Sequence, residues 1–364
     1  MDYFKKMENK RKVIIWSAEI MNLLNDKPVG GIAVQMYFWA RAFVENGWDV
    51  YSFSDNDKDS IREGIVFKST KTIKYINILM EWWRSLKYII SVRPELVIFR
   101  GAHRLLLPLS IFTKLSGVKL VYFSASDVNF EPGRELVGSE FNRALYQHSI
   151  SRISYFVTQN KYQHDTLLHN YGKESLIMFN IWGRLPSLSK QNSKKYSAVW
   201  IANFRSLKRA EWALMAAEKQ PSYSFALAGA SSDKDYYHAI KLRADGLPNV
   251  SFLGGVSFPV SNELVANSKV LLCTSTFEGF PNTFLQAWAN GIPVISTVDP
   301  SGIISENNLG VVVSTVDELV TALQRVLEDE EYYKILCASV SIYFHSAHAT
   351  DMGYQRLMKY LKYE

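Results

Sequence analysis

Cysteine is nearly absent from this 364-residue chain, with only Cys273 and Cys337 present. Two thiols cannot make a disulfide framework, and no Cys/His spacing suited to zinc occurs, so a reducing compartment is expected. Long hydrophobic runs are also missing. No stretch approaches the ~18 apolar residues of a membrane span. The charged opening, Met1–Lys12, lacks the apolar centre of a secretory leader, and a cytoplasmic protein is expected. No Asp-x-Asp metal motif lies in a suitable place; Asp55 and Asp57 fall in a loop of the first half and read as solvated. No cluster of hard oxygen ligands stands out, and neither a metal nor another cofactor is expected. Basic stripes interleaved with aromatics are lacking, which argues against a nucleic-acid partner.

What is present is a globular balance of 48% hydrophobic and 21% charged residues, enough for about two domains with sizeable cores. Charge is uneven. Residues 1–195 hold 28 Lys+Arg against 18 Asp+Glu (+10), and residues 196–364 hold 13 against 17 (−4). The basic half suggests an anionic partner, with an anionic membrane surface and a phosphorylated acceptor fitting equally.

Short β-rich runs alternate with helical patterns, which points to an α/β fold with parallel sheets. In the first half the expected strands are Lys12–Ser17, Trp48–Phe53, Leu96–Phe99, Lys119–Phe123, Tyr155–Thr158 and Leu176–Phe179. A helix is expected from about Ile32 to Asn46, stopped by Gly47. The polar stretch Pro186–Lys195 reads as a linker, after which the alternation restarts. Strands are expected at Ala198–Ala202, Tyr223–Ala228, Val250–Leu253, Val270–Thr274, Pro293–Ser296 and Val311–Val313. Helices are expected at Ala210–Glu218, Asp233–Ala244, Ser261–Asn267, Asn282–Ala289, Asp317–Glu328 and from Glu330 onward. Thr72–Ile90 carries two apolar helical stripes. Ile73, Ile76, Met80, Trp83 and Ile90 form one; Ile78, Trp82 and Ile89 form the other, with Lys71, Lys74 and Arg84 between. One stripe is ordinary core packing. The second, holding Trp82, either packs on another element or lies in a lipid headgroup region.

The most informative stretch is Thr274–Ser296, TSTFEGFPNTFLQAWANGIPVIS. A strand ends at Thr274, and a loop carries Glu278, Gly279, Phe280, Pro281 and Asn282. A helix then begins near Asn282 and Gly291 closes it. Free backbone N–H groups at a helix start favour an anion, and Gly279 permits close approach of backbone. Glu278 stands where it would meet hydroxyls beside a phosphate. The same residues also fit an ordinary βα connection with a glycine turn and an Asn cap.

This stretch resembles the signature of the large Glu-x7-Glu family of retaining GT-B glycosyltransferases. Glu278, Gly279, Phe280, Pro281, Asn282, Ala287, Ala289, Gly291, Pro293 and Val294 match it, and Gln286 replaces the second Glu. Upstream, VWIANFRSLKRAE (Val199–Glu211) resembles the segment whose Arg and Lys hold the donor diphosphate, with Arg205 and Lys208 at those positions. Arg209 is the alternative to Lys208. VSFLGGV (Val250–Val256) and NNLGVVV (Asn307–Val313) resemble flanking family segments, so the likeness spans most of residues 197–345. In the first half, Gly30 and Gly31 match the glycine-rich loop that approaches donor phosphate and acceptor. The family histidine after the strand Leu120–Phe123 is replaced by Ser124, Ala125, Ser126 and Asp127. Asp127, at a strand end that lines the cleft in such sheets, is the site candidate there. His103 reads as a surface or packing residue.

The resemblance implies a GT-B architecture, two Rossmann-like domains facing across a cleft. Residues 1–185 would bind the acceptor and residues 197–345 the nucleotide sugar. Residues 186–196 would be the linker, and the last helix, within 346–364, would return to the first domain. It further implies a hexosyltransferase that moves sugar from a nucleotide-sugar donor to a glycan or lipid-linked acceptor with retention, in cell-surface polysaccharide or glycoconjugate biosynthesis. Glu278 would contact the transferred sugar and Gln286 the ribose. A nucleotide-sugar epimerase or hydrolase on the same fold, or a non-catalytic scaffold, are the alternatives.

Overall fold

The computed structural model describes residues 10–363 except 28, 55–57, 70–77, 184–193, 232 and 279. The chain divides into two compact units. The first comprises the chain up to Asn25, Val29–Ile181 and Thr350 onward; the second comprises Trp182–Ala349 with Asp26 and Lys27. The linker expected at 186–196 lies mostly outside the described residues, as do Asp55 and Asp57.

The strands of the first unit are β1 (Lys12–Trp16), β2 (Asp49–Ser54), β3 (Ser60–Arg62), β4 (Ile65–Ser69), β5 (Leu96–Arg100), β6 (Lys119–Phe123), β7 (Tyr155–Thr158) and β8 (Leu176–Ile177). They form one sheet in the order β3-β4-β2-β1-β5-β6-β7-β8. All neighbours are parallel except β3 with β4. The order reverses between β1 and β5, so the carboxyl ends of these two strands frame the crevice where such sheets bind ligands. The helices are α1 (Ile20–Leu24), α2 (Gly31–Glu45), α3 (Ile78–Val92), α4 (Leu106–Ser116), α5 (Glu140–Ile150) and α6 (Lys161–Tyr171). Helix α2 is apolar almost all round and buries Ala33 to Ala40, Ala42 and Phe43. It stops at Asn46, where Gly47 at φ +81 turns the chain back. On the other face of the sheet, Ile89, Leu106, Leu109, Tyr146 and Ile150 from α3, α4 and α5 pack on Val97, Phe99, Leu120 and Tyr122.

Strand β9 (Tyr196–Ile201) opens the second unit, followed by α7 (Ala210–Lys219), β10 (Phe225–Ala228), α8 (Lys234–Asp245), β11 (Val250–Gly254) and α9 (Phe258–Ala266). Then come β12 (Ser268–Cys273), α10 (Asn282–Ala289), β13 (Val294–Ser296), α11 (Ile303–Glu306), β14 (Gly310–Val312), α12 (Val316–Glu328) and α13 (Glu330–Ala347). The sheet is wholly parallel, β11-β10-β9-β12-β13-β14. Its central strands are buried on both faces: Val270, Leu271 and Leu272 are enclosed alongside Ala198, Val199 and Trp200. Continuous apolar runs are what a doubly covered parallel strand requires. Helix starts are capped where the sequence supplies a short polar side chain, as where Asp233, Thr315 and Asp329 accept from backbone N–H three residues on. Both cysteines are free, and burial pushes the Cys273 thiol up.

Three features depart from the expected pattern. The β3–β4 hairpin has no counterpart in the sequence reading; Ile61 faces solvent, so its three-residue strand shows no clean alternation. Helix α9 begins earlier than Ser261 because Pro259 is accommodated in its first turn, where no N–H is needed. In α3 the stripes are reversed. Ile89 is buried and Trp82 packs against the core, whereas Met80 (48% exposed), Trp83 (60%) and Ile90 (56%) face outward. Ile73 and Ile76 lie outside the described residues. No helix among the described residues is long and apolar enough to cross a membrane.

The last helix, α14 (Thr350–Tyr360), packs in the first unit. Trp48 Nε1 donates to Tyr354 OH at 2.8 Å, Arg356 Nη2 to the Ile177 carbonyl at 3.1 Å, and Lys119 Nζ to the Leu361 carbonyl at 2.5 Å. Gly353 permits the approach: a Cβ there would lie 2.4 Å from Ile181 Cγ2 and 3.8 Å from Trp39. Gly353→Ala should therefore destabilise the first unit by about 1–3 kcal/mol, the usual cost of overpacking. Urea unfolding followed by tryptophan fluorescence checks this, and an unchanged midpoint would contradict it.

Candidate functional site

Strands β9 and β12 are neighbours, so the loops leaving their carboxyl ends emerge side by side. The β9 loop makes a short 3-10 turn, Ser206–Lys208, with Arg205 at its start and Arg209 in the left-handed region at φ +49. The β12 loop begins at Thr274, which is buried. Its hydroxyl donates toward the carbonyls of Lys208 (2.7 Å) and Arg209 (2.9 Å) and accepts from Trp200 Nε1 (2.9 Å). Arg209 returns the connection. Its Nε donates to the Thr274 carbonyl at 2.6 Å and its Nη2 to the Ser275 carbonyl at 3.1 Å, while the guanidinium lies 4.0 Å from the Trp212 ring centroid. The Thr276 N–H donates to the Leu207 carbonyl at 2.9 Å.

This stitching brings Lys208 onto Glu278. Lys208 Nζ donates to Glu278 Oε1, which also accepts from Ser275 Oγ at 2.8 Å. The two side chains are only 18% and 19% exposed, so solvent screens the pair less than a surface ion pair. The stitching also separates the two adjacent cations. Arg209 is bound to backbone carbonyls and a ring, and Lys208 is the one that reaches Glu278. Arg205 is exposed on the same loop.

Helix α10 starts immediately after this loop, with Pro281 as its cap residue and Asn282 in its first turn. The Phe280 ring packs with Phe284, Trp288 and His348, which holds the loop to α10 and to the end of α13. Gly279 lies outside the described residues. The partial positive charge of the helix start thus lies at the end of the loop that carries Glu278. Gln286 sits inside α10 and is 3% exposed. Its Nε2 donates to Ser261 Oγ of α9 at 3.0 Å, and its carbonyl accepts from Asn290 Nδ2 at 2.8 Å. Its amide nitrogen thus already has a partner between two helices, which a solvent-facing amide at this spacing would not have.

In the first unit, Gly30 caps α2 and Gly31 is its first residue. Asp127 opens a 3-10 turn after β6. Its Oδ1 accepts from Asn160 Nδ2 (3.1 Å) and Gln163 Nε2 (2.8 Å). Both amides are oriented by other bonds: Asn160 Oδ1 accepts from the Gln163 N–H, and Gln163 Oε1 accepts from the Gln159 N–H and Ser124 Oγ. Asp127 is therefore held by side chains that a sequence motif search passes over, Asn160 and Gln163 on α6. The start of α2 and the loop before Asp127 meet at Gly101, where a Cβ would lie 3.6 Å from Ile32 Cδ1 and 3.5 Å from Ala125 Cβ. His103 braces the entry to α4, its Nδ1 accepting from the Leu105 N–H at 3.1 Å. The candidate residues thus fall into two groups: Arg205, Lys208, Glu278, Phe280, Pro281, Asn282 and Gln286 in the second unit, and Gly30, Gly31 and Asp127 in the first.

Two parallel-sheet Rossmann-like units of this kind define the GT-B fold. The chain is similar to sucrose-phosphate synthase from Thermosynechococcus elongatus, with a TM-score of 0.68 at 13% identity over 97% of this chain and 100% of that one. It is also similar to Anabaena HepE, solved with UDP-glucose (0.67, 14%, 97% and 100%), and to WaaG, a glycosyltransferase involved in lipopolysaccharide biosynthesis (0.65, 15%, 96% and 98%). At these identities the likeness establishes the fold. No curated protein sequence matches the chain significantly. Residues 195–329, within the second unit, match the family described as Glycosyl transferases group 1.

Arg209 holds two loops together at an unfavourable backbone conformation. Arg209→Ala should cost about 1.5–3 kcal/mol of unfolding free energy, as for lost bonds to a charged donor. Arg209→Gly should cost less, because glycine adopts φ +49 freely. Chemical denaturation of both variants is the check; equal losses would remove the conformational part of this account.

Proposed function

We propose that this protein is a hexosyltransferase that moves a sugar from a nucleotide-sugar donor to a glycan or lipid-linked acceptor, with retention at the anomeric carbon. The observation that carries the reading is the Lys208–Glu278 pair beside the start of α10, within the group 1 domain. Breaking a sugar–diphosphate bond leaves charge on the departing nucleoside diphosphate. Lys208, Arg205 and the helix start supply positive charge for it, and a metal is not required in this scheme. Glu278 accepts hydrogen bonds from hydroxyls of the transferred sugar. Gln286 has an amide oxygen to offer a ribose while its nitrogen stays on Ser261. The first unit takes the acceptor, with Gly30, Gly31 and Asp127 on its side of the reaction, and the pathway is cell-surface polysaccharide or glycoconjugate biosynthesis at the cytoplasmic face of a membrane.

The test pairs turnover with binding. Glu278→Gln should lower turnover of the accepted nucleotide sugar by about two orders of magnitude, as for lost positioning at a reacting centre. It should not weaken binding of the free nucleoside diphosphate, which has no sugar to contact. Lys208→Ala should weaken that binding by on the order of 1.5–3 kcal/mol. Turnover should persist in EDTA. Full turnover by Glu278→Gln would make Glu278 a structural element of its loop, and calorimetry showing unchanged affinity in Lys208→Ala would remove the diphosphate role.

Membrane association is proposed through the outward stripe of α3. Met80, Trp83 and Ile90 are exposed there, Lys87 Nζ lies 5.1 Å from the Trp83 ring centroid, and Arg84 is exposed beside them. The neighbouring α4 adds exposed Ile111, Leu115 and Lys114. Apolar side chains ringed by cations suit an anionic headgroup layer. Co-sedimentation with vesicles containing phosphatidylglycerol should show binding at low salt that declines as salt rises. Trp83→Ala should reduce it and Trp82→Ala should not act through this surface. Absence of binding at low salt would refute the proposal.

A further inference from the structure

An enclosed glutamine needs partners for both ends of its amide, because an unpaired polar group is costly to bury. Gln163, in the first turn of α6, is 2% exposed. Its Oε1 accepts from the Gln159 N–H at 2.9 Å and from Ser124 Oγ. A backbone N–H can only donate, so this contact fixes which end of the amide is oxygen. Nε2 then points the other way and donates to Asp127 Oδ1 at 2.8 Å. Asn160 is fixed by the same logic. Its Oδ1 accepts from the Gln163 N–H at 2.8 Å, which leaves Nδ2 to donate to Asp127 Oδ1 at 3.1 Å. Two amides that cannot be turned round thus meet one oxygen of one carboxylate.

The turn that carries Asp127 is held as firmly. Asn129 Oδ1 accepts from the N–H groups of Ala125 and Ser126 at 2.7 and 3.0 Å, and the Asn129 carbonyl accepts from Tyr146 OH at 2.9 Å. Asn170 Nδ2 donates to the Phe130 carbonyl at 2.8 Å. None of these bonds reaches Asp127 Oδ2. Among the described residues both hydrogen bonds to this carboxylate end on Oδ1, and no lysine or arginine pairs with it. That is unexpected in a half of the chain with 28 Lys+Arg against 18 Asp+Glu. One oxygen is anchored, and the other is left for a donor from outside the protein.

On the reading that the first unit takes the acceptor, we infer that Gln163 is a positioning residue for the proposed transfer. It acts through Asp127: by occupying Oδ1 it presents Oδ2 to a hydroxyl of the acceptor. Gln163 belongs to none of the signature segments. An amide suits the task, because it orients a carboxylate without bringing a charge that competes for it.

The test is a double-mutant cycle in the full chain between Gln163→Met and Asp127→Asn. Methionine keeps the length of the side chain and removes its hydrogen bonds; asparagine keeps an oxygen for the two amides and removes the carboxylate. Turnover is followed as hydrolysis of UDP-glucose, UDP-N-acetylglucosamine or GDP-mannose, whichever the parent accepts, with water in the acceptor's place. Calorimetric titration with the matching nucleoside diphosphate counts the folded molecules. Each single change should lower kcat about tenfold, as for lost positioning at a reacting centre, with KM for the nucleotide sugar unchanged. In the Asp127→Asn background, Gln163→Met should cost nothing more. A glutamine that only supports the fold would lower kcat by the same factor in both backgrounds, and that result overturns the inference, as does full kcat in Gln163→Met. Should Gln163→Met not fold, Gln163→Glu takes its place in the cycle. It keeps both bonds at Oε1 and sets an acceptor against Asp127, and the same two results decide. A parent that hydrolyses none of the three donors sinks the proposed function itself, whereas an active parent with additive losses sinks this inference alone.

Discussion

The second unit depends on the hydrogen-bonded seam between the loops that leave β9 and β12. Parallel strands alone would deliver two independent loops to the same end of a sheet. Thr274 and Arg209 join them through side chain to backbone bonds in both directions, with Trp200 holding the Thr274 hydroxyl from the strand below. Because these bonds are made to main-chain carbonyls, they fix the path of both loops and not merely the position of two side chains. Lys208 and Glu278, 70 residues apart, face one another as a result. The electrostatics of the site therefore rest on a residue, Arg209, that uses its own charge to bind carbonyls.

The ion pair so formed has a consequence for the proposed chemistry. A partly buried lysine and glutamate neutralise each other, which lowers the cost of holding either charge out of water. Under the proposed function a nucleotide sugar would offer each of them a replacement partner, phosphate for Lys208 and hydroxyls for Glu278. A nucleoside diphosphate offers a partner only to Lys208 and would leave Glu278 with Ser275. In that scheme the same two residues would favour the intact donor over the spent one.

Much of this was legible in the sequence. Lys119–Phe123, Tyr155–Thr158 and Asn282–Ala289 have the expected bounds because each is an apolar run or helical pattern closed by a strong signal on at least one side. The likeness to a glycosyltransferase signature was carried by loop residues, whose backbone demands leave narrow choices. What was not legible turned on which way a side chain faces. Adjacent Lys208 and Arg209 are interchangeable as letters; the left-handed turn at Arg209 separates them. Trp82 and Trp83 are likewise neighbours, and a rotation of 100° per residue decides that one packs and the other faces solvent. Gln286 matched a ligand position by spacing, while its burial against Ser261 depends on where α9 lies, a tertiary fact.

Arg100 belongs to the same class of hidden feature, since an arginine at the end of a strand reads in sequence as a surface cation. Its position in the fold changes its meaning. The first unit has an excess of basic residues, yet most of its described ion pairs are peripheral, such as Arg41 with Glu45 and Glu63, or Arg104 with Glu81. Those pairs lie where solvent screens them and contribute little. At the carboxyl end of β5 an acidic residue placed against Arg100 would have lowered the cost of its burial, and the fold supplies an amide, Asn180, instead. An amide orients a guanidinium without neutralising it.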